Sequence, residues 1–412
     1  MGFDVTRVRA LYPALSDGHA WLDAAAGTQV PQTVIDAIAD AYRDGLGNAH
    51  GAFAASARSD AIVAGARAAV ADLVGGQAGG VVFGPNMTTL TYRFAATLAR
   101  TWAEGDEVVV SRLDHDANVR PWVQAAERAG VVVKYADIVV PSGELPAEQY
   151  RELVTERTRL VAVTAASNVL GTIPDVAEIA AIAHGQGALV YVDGVHATPH
   201  GPVDMTALGA DFYATSAYKW SGPHIGAVVA APDLLAALRP DKLASSPDQA
   251  PDGFETGTLP FADLAGVSAA VEHLAALDPQ AEGSRRARLL TSMSAVAAYE
   301  QAELAHLLKG LAALPPVRLV GSPRRRTATV YFTVDGHSPR QVAEHLAARG
   351  INVWDGHCYA WEPTMALGIR DSGSAVRAGL VHYNEREEVE RLLEALDELT
   401  SGRPGRDGSR AT

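Results

Sequence analysis

Residues 189–226 read LVYVDGVHATPHGPVDMTALGADFYATSAYKWSGPHIG, and this stretch decides the fold. The apolar run 189–192 predicts a buried strand that ends in a carboxylate, Asp193. A second run, 212–215, is also typical of a strand and leads within four residues to Lys219. Ligands of open α/β sheets bind where the carboxyl ends of parallel strands meet. The sequence therefore predicts that Asp193 and Lys219, which are 26 residues apart, converge at one edge of a sheet.

A carboxylate and an amine brought to one point suit pyridoxal phosphate. Lys219 can form an imine with the cofactor's aldehyde, and Asp193 can keep the pyridine nitrogen protonated so that the ring accepts electrons. Each residue alone has an ordinary alternative, since a strand-end Asp often belongs to a turn and a loop Lys is often solvated. The two residues at this spacing favour the cofactor.

Two motifs in this stretch carry a family resemblance: D-G-x-x-x-x-P-H at residues 193–200 and S-x-x-K at residues 216–219. They resemble the class V aminotransferase family of fold-type I pyridoxal phosphate enzymes, especially its cysteine desulfurase and selenocysteine lyase branch. The resemblance covers nearly the whole chain and recurs in several separate motifs. It implies an α/β fold with a mainly parallel, doubly wound, seven-stranded large domain and a smaller α+β C-terminal domain.

The order of patterns along the chain agrees with that architecture, because strand-like runs alternate with helical ones. We expect an N-terminal segment at 1–20, a large cofactor-binding domain at 21–275 and a small C-terminal domain at 276–400. A long helical stretch at 262–310 is expected to link the two domains. The Gly/Ser/Arg-rich end, 401–412, is typical of a disordered tail.

Composition limits the partners and the compartment. The chain has 412 residues and a formal net charge of −14, which argues against nucleic acid or an anionic membrane surface as the main partner. No apolar run approaches the ~20 residues of a membrane span, and the first residues do not resemble a signal peptide. A single cysteine fits a reducing compartment. We expect a cytoplasmic protein.

The cofactor phosphate is expected at the start of a helix that follows a short strand at 81–83. The main-chain N–H groups of Met87, Thr88 and Thr89, helped by the hydroxyls of the two threonines, make an anion site there. An ordinary Thr/Asn helix cap is the alternative. The resemblance places the phosphate at this point and adds Ser216 as a further ligand.

Four side chains are expected around the cofactor ring. The D-H-D-A-N segment resembles the family's E-H-x-A-N, which implies that His115 stacks on the pyridine face and moves protons, although a lone strand-end His often caps or fills a core. Asn168 matches the Asn that meets the ring hydroxyl. His196 stands where desulfurases usually carry Gln, and Tyr218 stands where they carry His.

A metal site is not predicted, although His196 and His200 are four residues apart. Pro199 would interrupt a helix between them, and no further Cys/His cluster follows.

The resemblance also implies contacts with an amino-acid substrate and with a second subunit. Arg377, in a V-R-x-x-x-x-x-Y-N match, is expected to clamp the α-carboxylate, although an Arg on an edge strand is often solvated. Ala25, in the W-L-D-A-A-A-G segment, and His50, in the loop 47–52, are expected near the substrate. Thr258, in F-E-T-G-T, is expected to reach the phosphate of a partner's cofactor, which implies a homodimer.

The reaction depends on residues around the substrate side chain. Cys358 lies in the loop where desulfurases carry a nucleophilic cysteine, but one position early, and W-D-G-H-C-Y-A is closer to a desulfurase-like sister branch without an obvious nucleophile. Cleavage of a C–S bond in cysteine or an S-substituted cysteine is the leading hypothesis, with Cys358 shaping the pocket. An aminotransferase, an epimerase or an inactive cofactor-binding scaffold are the alternatives.

Overall fold

A computed structural model describes residues 3–401 of the chain. The predicted tail, 401–412, lies outside the described residues except for Ser401, which ends the last helix. No helix within 3–401 is long and apolar enough to cross a bilayer.

The helices and strands alternate along most of the chain. The helices are α1 Val5–Arg9, α2 Gln32–Arg43, α3 Ala54–Val74, α4 Met87–Leu98, α5 Arg120–Ala129, α6 Tyr150–Leu153, α7 Val176–His184, α8 Pro232–Ala237, α9 Phe261–Ala275, α10 Arg285–Ala312, α11 Pro339–Ala347, α12 Trp361–Ala366 and α13 Arg386–Ser401. The strands are β1 Ala20–Trp21, β2 Val81–Gly84, β3 Glu107–Ser111, β4 Val132–Ala136, β5 Thr158–Thr164, β6 Leu189–Asp193, β7 Phe212–Ser216, β8 Gly226–Ala230, β9 Val317–Leu319, β10 Thr329–Val334, β11 Ile351–Asn352, β12 Trp354–Gly356 and β13 Ala375–Gly379.

A seven-stranded sheet in the order β2-β8-β7-β6-β5-β3-β4 forms the centre of the large domain. All neighbouring strands are parallel except β8, which is antiparallel to both β2 and β7. The mainly parallel seven-stranded prediction is therefore confirmed. The antiparallel strand β8 was missed: its run GAVVA is short, and an apolar run does not by itself tell a parallel from an antiparallel strand.

The inner strands of this sheet bury both faces, which explains their continuous apolar sequences, whereas the edge strand β4 is mostly exposed or half-buried. In β6, Val190 and Val192 belong to one core cluster, and Tyr191 between them belongs to a second. Successive side chains of a strand point to opposite faces, so the two clusters are the two layers between the sheet and its flanking helices. This is the doubly wound arrangement that the sequence predicts.

The prediction of a single helical stretch over 262–310 is wrong. The stretch consists of two helices, α9 and α10, separated by residues 276–284. Pro279 lies in this break and cannot donate the main-chain hydrogen bond of a helix interior. Ser284 then starts α10 as its N-cap, accepting a hydrogen bond from the N–H of Ala287.

The C-terminal part contains a four-stranded antiparallel sheet in the order β12-β13-β10-β9. The N-terminal strand β1 pairs in parallel with β11, and Ala20 and Leu22 join the same core cluster as Val330 and Leu392. The segment around residue 20 is therefore tied to the C-terminal part before the chain enters the large sheet. The predicted domain boundaries remain a proposal.

Candidate active site

Two adjacent parallel strands deliver the predicted cofactor residues to one edge of the large sheet. Asp193 ends β6 and pairs with Ala214 of β7, and a short 3-10 turn after β7 carries Lys219. Asp193 is 4 % exposed and Lys219 is 9 % exposed. The structure therefore brings the carboxylate and the amine together in a buried environment, as the strand pattern predicts.

Burial shifts the proton affinity of both groups toward neutrality. Desolvation, together with the positive charge of Arg377, lowers the pKa of Lys219 to about 7. Desolvation raises the pKa of Asp193 to about 6, although the main-chain N–H of Val195 donates to its Oδ1 at 2.9 Å. Near pH 7 a large fraction of Lys219 is thus a neutral amine while Asp193 is mostly ionised.

The N-terminal segment packs against the turn that carries Lys219. The Nζ of Lys219 donates a hydrogen bond to the main-chain oxygen of Ala25, which is 2 % exposed. The oxygen of Tyr218 accepts a hydrogen bond from the N–H of Thr28 at 2.9 Å. The ring of Tyr218 lies 5.4 Å from the Lys219 amine. Of the predicted positions, Ala25 therefore contacts Lys219 directly, and Tyr218 belongs to the same turn as Lys219.

Arg377 and Asn168 meet across the two sheets. Arg377 lies on β13, is 5 % exposed, and donates from Nη1 to the main-chain oxygen of Asn168 at 3.0 Å. The Nδ2 of Asn168 donates to the main-chain oxygen of Cys358 at 2.8 Å. The Oδ1 of Asn168 is buried and has no hydrogen-bond partner within residues 3–401. This amide oxygen is thus available to a bound molecule.

Cys358 lies in a loop of unusual backbone conformation. Its φ is +49° and that of Tyr359 is +58°, the left-handed region that non-glycine residues rarely adopt. The thiol contacts the oxygen of Gly356 at 3.6 Å. Burial raises the pKa of Cys358. A thiol in this environment is largely protonated at neutral pH and is a weak nucleophile.

His115 follows β3 and packs against the Cys358 loop. Its Nδ1 accepts a hydrogen bond from the N–H of Ala117 at 3.0 Å, so the neutral ring carries its proton on Nε2. The ring of Tyr359 lies 5.5 Å away, tilted by 34°. Burial, followed by the charges of Lys219 and Arg377, lowers the pKa of His115 to about 3. A neutral ring of this kind suits stacking on a cofactor.

The N-terminus of α4 faces the end of β7, where a phosphate is predicted. The N–H of Met87 donates to Ser216 Oγ at 3.0 Å, and the side chains of Thr88 and Thr89 are exposed. Asn86 caps the helix by accepting from the N–H of Thr89 at 2.9 Å. The cap and the anion site are therefore compatible, because the cap occupies one of the free N–H groups at the helix start.

Gly226 of β8 allows this close approach of β8 to α4. A Cβ at Gly226 would lie 2.2 Å from the main-chain carbon of Asn86 and 2.5 Å from the nitrogen of Met87. A larger residue would push the helix start away from Ser216.

His196 lies three residues after Asp193 and is 4 % exposed. Its Nε2 lies 3.1 Å from the hydroxyls of both Thr327 and Thr329. Its ring contacts that of His200 edge to face, with centroids 4.9 Å apart. No cluster of three or more metal-ligating side chains occurs among residues 3–401.

Two predicted residues are not brought to Lys219 within the described chain. His50 is exposed, and its N–H donates to Asp60 at 3.1 Å. His50 and Thr258 line a separate cleft of about 670 Å³. The resemblance assigns Thr258 to a partner's site, so its distance from Lys219 in one chain does not contradict that expectation.

Sequence reasoning missed two acidic residues of the site. Burial raises the pKa of Asp23, whose neighbours include Arg377 and Lys219, to about 6, and its buried Oδ1 has no partner within the described residues. Burial raises the pKa of Asp114 to about 8, and Asn118 donates to its Oδ1 at 2.7 Å. Asp23 stands two residues before Ala25, and Asp114 directly precedes His115. Proximity in the sequence to residues already predicted for the site was therefore the available signal.

The free groups of this site match the chemistry of pyridoxal phosphate. A buried amine suits the aldehyde, a buried carboxylate suits the pyridine N–H, and the unpartnered amide oxygen of Asn168 suits the ring hydroxyl. At the start of α4 the N–H of Thr88 remains for the phosphate, beside the Ser216 hydroxyl, because the N–H groups of Met87 and Thr89 already donate to Ser216 and Asn86. The residues therefore fit the cofactor.

A mainly parallel α/β sheet with a strand-end aspartate and a buried lysine in the turn after the next strand is the arrangement of a fold-type I pyridoxal phosphate enzyme. The chain belongs to the aminotransferase class-V family, whose model matches residues 20–392.

Relatives and solved structures cover nearly the whole chain. An uncharacterised protein of Mycobacterium tuberculosis is 38% identical over 411 residues, which are 97% of this chain and 100% of the relative. A probable cysteine desulfurase of Pseudomonas aeruginosa is 36% identical, over 94% of this chain and 96% of the relative. The crystal structure of the Escherichia coli cysteine desulfurase CsdA superimposes with a TM-score of 0.85 at 28% identity, covering 98% of this chain and 100% of that one.

Proposed function

We propose that this pyridoxal phosphate enzyme cleaves the C–S bond of cysteine or of an S-substituted cysteine. The observation that carries the proposal is the convergence of a buried Lys219, a buried Asp193 and a buried Arg377 in one site. The resemblance to proteins named cysteine desulfurase in Pseudomonas and Escherichia supports the choice of a sulfur substrate.

Arg377 binds the α-carboxylate of the substrate. Within residues 3–401 its one side-chain hydrogen bond runs from Nη1 to the main-chain oxygen of Asn168, so the other donors of the planar guanidinium remain for a bidentate contact. Asp23 lies near Arg377 with one unpartnered oxygen, and it balances the positive charge of the guanidinium before the substrate enters. When the substrate is bound, its carboxylate takes over part of the negative charge that Asp23 provides beside the guanidinium.

Asp193, Asn168, Ser216 and the start of α4 hold the cofactor. Asp193 is ionised at neutral pH and accepts a hydrogen bond from the pyridine N–H. Ser216 and the N–H of Thr88 at the start of α4 bind the phosphate, and Thr88 and Thr89 add hydroxyl donors. When bound, the cofactor supplies an electron sink for the pair released at the substrate α-carbon.

The amine of Lys219 would hold the cofactor through its aldehyde, with release of water, and once the substrate amine had taken its place it would move the proton of the substrate α-carbon. Only a neutral amine can do either, and burial keeps a large fraction of Lys219 neutral near pH 7. His115 covers the site with a neutral ring and excludes water from that face. Loss of the α-proton allows the C–S bond to break, with the sulfur leaving as a thiolate that takes up a proton.

Cys358 shapes the pocket and is not the nucleophile. Elimination needs a base and an electron sink but no protein thiol. The thiol contacts the main-chain oxygen of Gly356, and burial raises its pKa. Reactive cysteines, in contrast, lie in environments that lower the pKa of the thiol. The elimination releases a free thiol and 2-aminoacrylate, and one water then converts the aminoacrylate, through its imine form, to pyruvate and ammonia.

The enzyme acts as a homodimer in the cytoplasm. The exposed position of His50 and Thr258 on one cleft supports a role of that surface toward a second subunit. Twofold dimers are the commonest closed assembly. A single cysteine is consistent with a reducing compartment.

Absorption spectroscopy of the purified protein tests the function. We expect a visible band of lysine-bound cofactor that changes on adding L-cysteine or S-methyl-L-cysteine, with release of pyruvate and sulfide or methanethiol. Amino-group transfer to a keto acid, or loss of optical activity without sulfur release, would replace the C–S lyase by an aminotransferase or an epimerase. A protein that binds pyridoxal phosphate but neither changes its band nor releases a product with any of these amino acids would leave the inactive scaffold.

A further inference from the structure

Three buried titratable side chains, which we call the His–Glu cluster, lead away from the cofactor site: His196, His200 and Glu300. The rings of His196 and His200 meet edge to face at 4.9 Å. The Nδ1 of His200 lies 2.6 Å from Glu300 Oε2, with side-chain exposures of 5% and 2%. His196 and His200 belong to the connection after β6, whereas Glu300 belongs to α10, so the cluster joins two separate parts of the chain.

The His–Glu cluster does not serve stability well. A buried ion pair is often no more stabilising than apolar side chains of the same volume, because both groups lose water. In addition, Glu300 Oε1 is buried and has no hydrogen-bond partner within residues 3–401. Burial raises the pKa of Glu300, although His200 and the main-chain N–H of His382 lie beside its carboxyl group. A role at the neighbouring cofactor site would account for burying this pair.

His196 is the member of the cluster that faces the site. Its Nε2 lies 3.1 Å from the hydroxyls of Thr327 and Thr329, and its Nδ1 makes no hydrogen bond within the described residues. Burial, followed by the charge of His200, holds the pKa of His196 well below its usual value. The ring is therefore neutral at pH 7 and has one N–H, whose position depends on its neighbours.

We propose that His200 and Glu300 are positioning residues that fix the ring of His196 with its proton on Nδ1, where it donates to the ring oxygen of bound pyridoxal phosphate. In this tautomer the hydroxyl of Thr327 or Thr329, each 3.1 Å from Nε2, would donate to that nitrogen and leave the proton to Nδ1. The His200 ring, anchored by Glu300, blocks rotation of His196 and disfavours a second proton on it. The inference rests on the proposed position of His196 at the cofactor and not on the substrate.

Other charged and titratable groups face this cluster and contribute to the same field. Lys219, Arg377 and His115 act on His196 from the cofactor side. His382 lies near both His200 and Glu300. These groups are unchanged in the variants below, so a difference between variants reports the His200–Glu300 pair.

The test is the pH titration of the absorption band of the loaded enzyme, together with the dissociation constant of the cofactor. In Glu300→Gln and His200→Gln we expect the midpoint of the band to rise by about half a pH unit or more, because the cofactor oxygen loses part of its hydrogen bond and retains more negative charge. We also expect weaker cofactor binding. Glu303→Gln is the control, since Glu303 is a buried acid on the same helix that pairs with Arg386. It should leave both measurements unchanged.

A double-mutant cycle separates positioning from a general structural role. In a His196→Gln background, Glu300→Gln should shift the band no further, because the residue through which Glu300 acts is gone. An equal shift in both backgrounds, no shift in either, or the same shift from Glu303→Gln would overturn the inference.

Proton NMR of the wild-type enzyme decides the question if the variants do not fold or do not bind the cofactor. A 2.6 Å contact between imidazole and carboxylate should give an imidazole proton far downfield, assigned to His200. We expect this signal to move when the cofactor is removed, and an identical signal in both states would refute the coupling. None of these measurements uses a sulfur substrate, so failure of C–S cleavage is recognised separately.

Discussion

Arg377 donates a hydrogen bond from Nη1 to the main-chain oxygen of Asn168 at 3.0 Å, which joins the small antiparallel sheet to the loop after β5 of the large sheet. The bond aims a buried guanidinium at the edge of the large sheet, and no carboxylate of residues 3–401 lies at hydrogen-bond distance from it. The proposed contact with a substrate would therefore meet a guanidinium that is already oriented.

Arg377→Ala should greatly reduce turnover. Removing one partner of a desolvated, charge-assisted contact costs roughly 2–5 kcal/mol, which corresponds to a roughly 30- to 4,000-fold loss of kcat/KM. Steady-state kinetics with an amino-acid substrate measures the loss. Arg318→Ala is the control, because Arg318 forms only an exposed ion pair with Asp335 on the same sheet. Equal kinetics of the two variants would exclude carboxylate binding by Arg377.

Lys219→Ala should remove both the band of lysine-bound cofactor and turnover, whereas the surface variant Lys309→Ala should keep them. In the cofactor-free wild type, the rate at which Lys219 reacts with an amine-selective reagent should rise with pH and level off above about 7, because only the neutral amine reacts and its pKa is lowered to about 7. Peptide mass spectrometry follows the labelling. A rate that still climbs at pH 9 would show an ordinary lysine.

Asp193→Asn should lower activity and stabilise the cofactor-free protein. The pKa of Asp193 rises from 3.8 to about 6 on folding, so its ionisation costs roughly 3 kcal/mol of folding free energy above pH 6. Below about pH 4 the carboxyl is protonated in both states and the cost vanishes. Thermal unfolding should therefore show a higher Tm for the variant at pH 8 and a smaller difference at pH 5.

The control for that comparison is Asp371→Asn, because the side chain of Asp371 is 94% exposed. It should not change Tm at either pH. A Tm gain for Asp193→Asn that grows as the pH falls would contradict the assigned pKa direction.

Cys358→Ser should retain substantial C–S cleavage of an S-substituted cysteine. The thiol is held in a left-handed loop with a raised pKa, and elimination uses Lys219 as the base. Pyruvate release measures the activity. A persulfide found on Cys358 by mass spectrometry after incubation with cysteine, together with complete loss of activity in the Ser variant, would establish the desulfurase mechanism instead.

Thr258→Val should weaken cofactor binding if Thr258 reaches a partner's phosphate. Light scattering of the loaded wild type should give twice the 43.2 kDa of the chain. Dilution to the monomer should weaken cofactor binding in the wild type and leave the variant less affected. A monomeric enzyme with full cofactor affinity would rule out the shared site.

The strands around the cofactor could be predicted because their signals are local. A buried parallel strand is a continuous apolar run, and the residue at its carboxyl end is known once the run is known. Asp193 and Lys219 were found in this way. The break between α9 and α10 was missed because apolar residues with helical spacing continue on both sides of Pro279.

The sequence by itself determined the class of cofactor site. The residues expected to bind the cofactor directly follow strands, and the sheet brings the ends of those strands together. Only the tertiary structure decided which distant side chains share that site. Three features depend on how the N-terminal segment, α10 and the small sheet pack against the large sheet. They are the position of Asp23 near Arg377, the separation of the cleft with His50 and Thr258 from Lys219, and the contact between His200 and Glu300, which are 100 residues apart in the sequence. That arrangement is set by packing and burial over the whole molecule, which leaves no local pattern in the sequence.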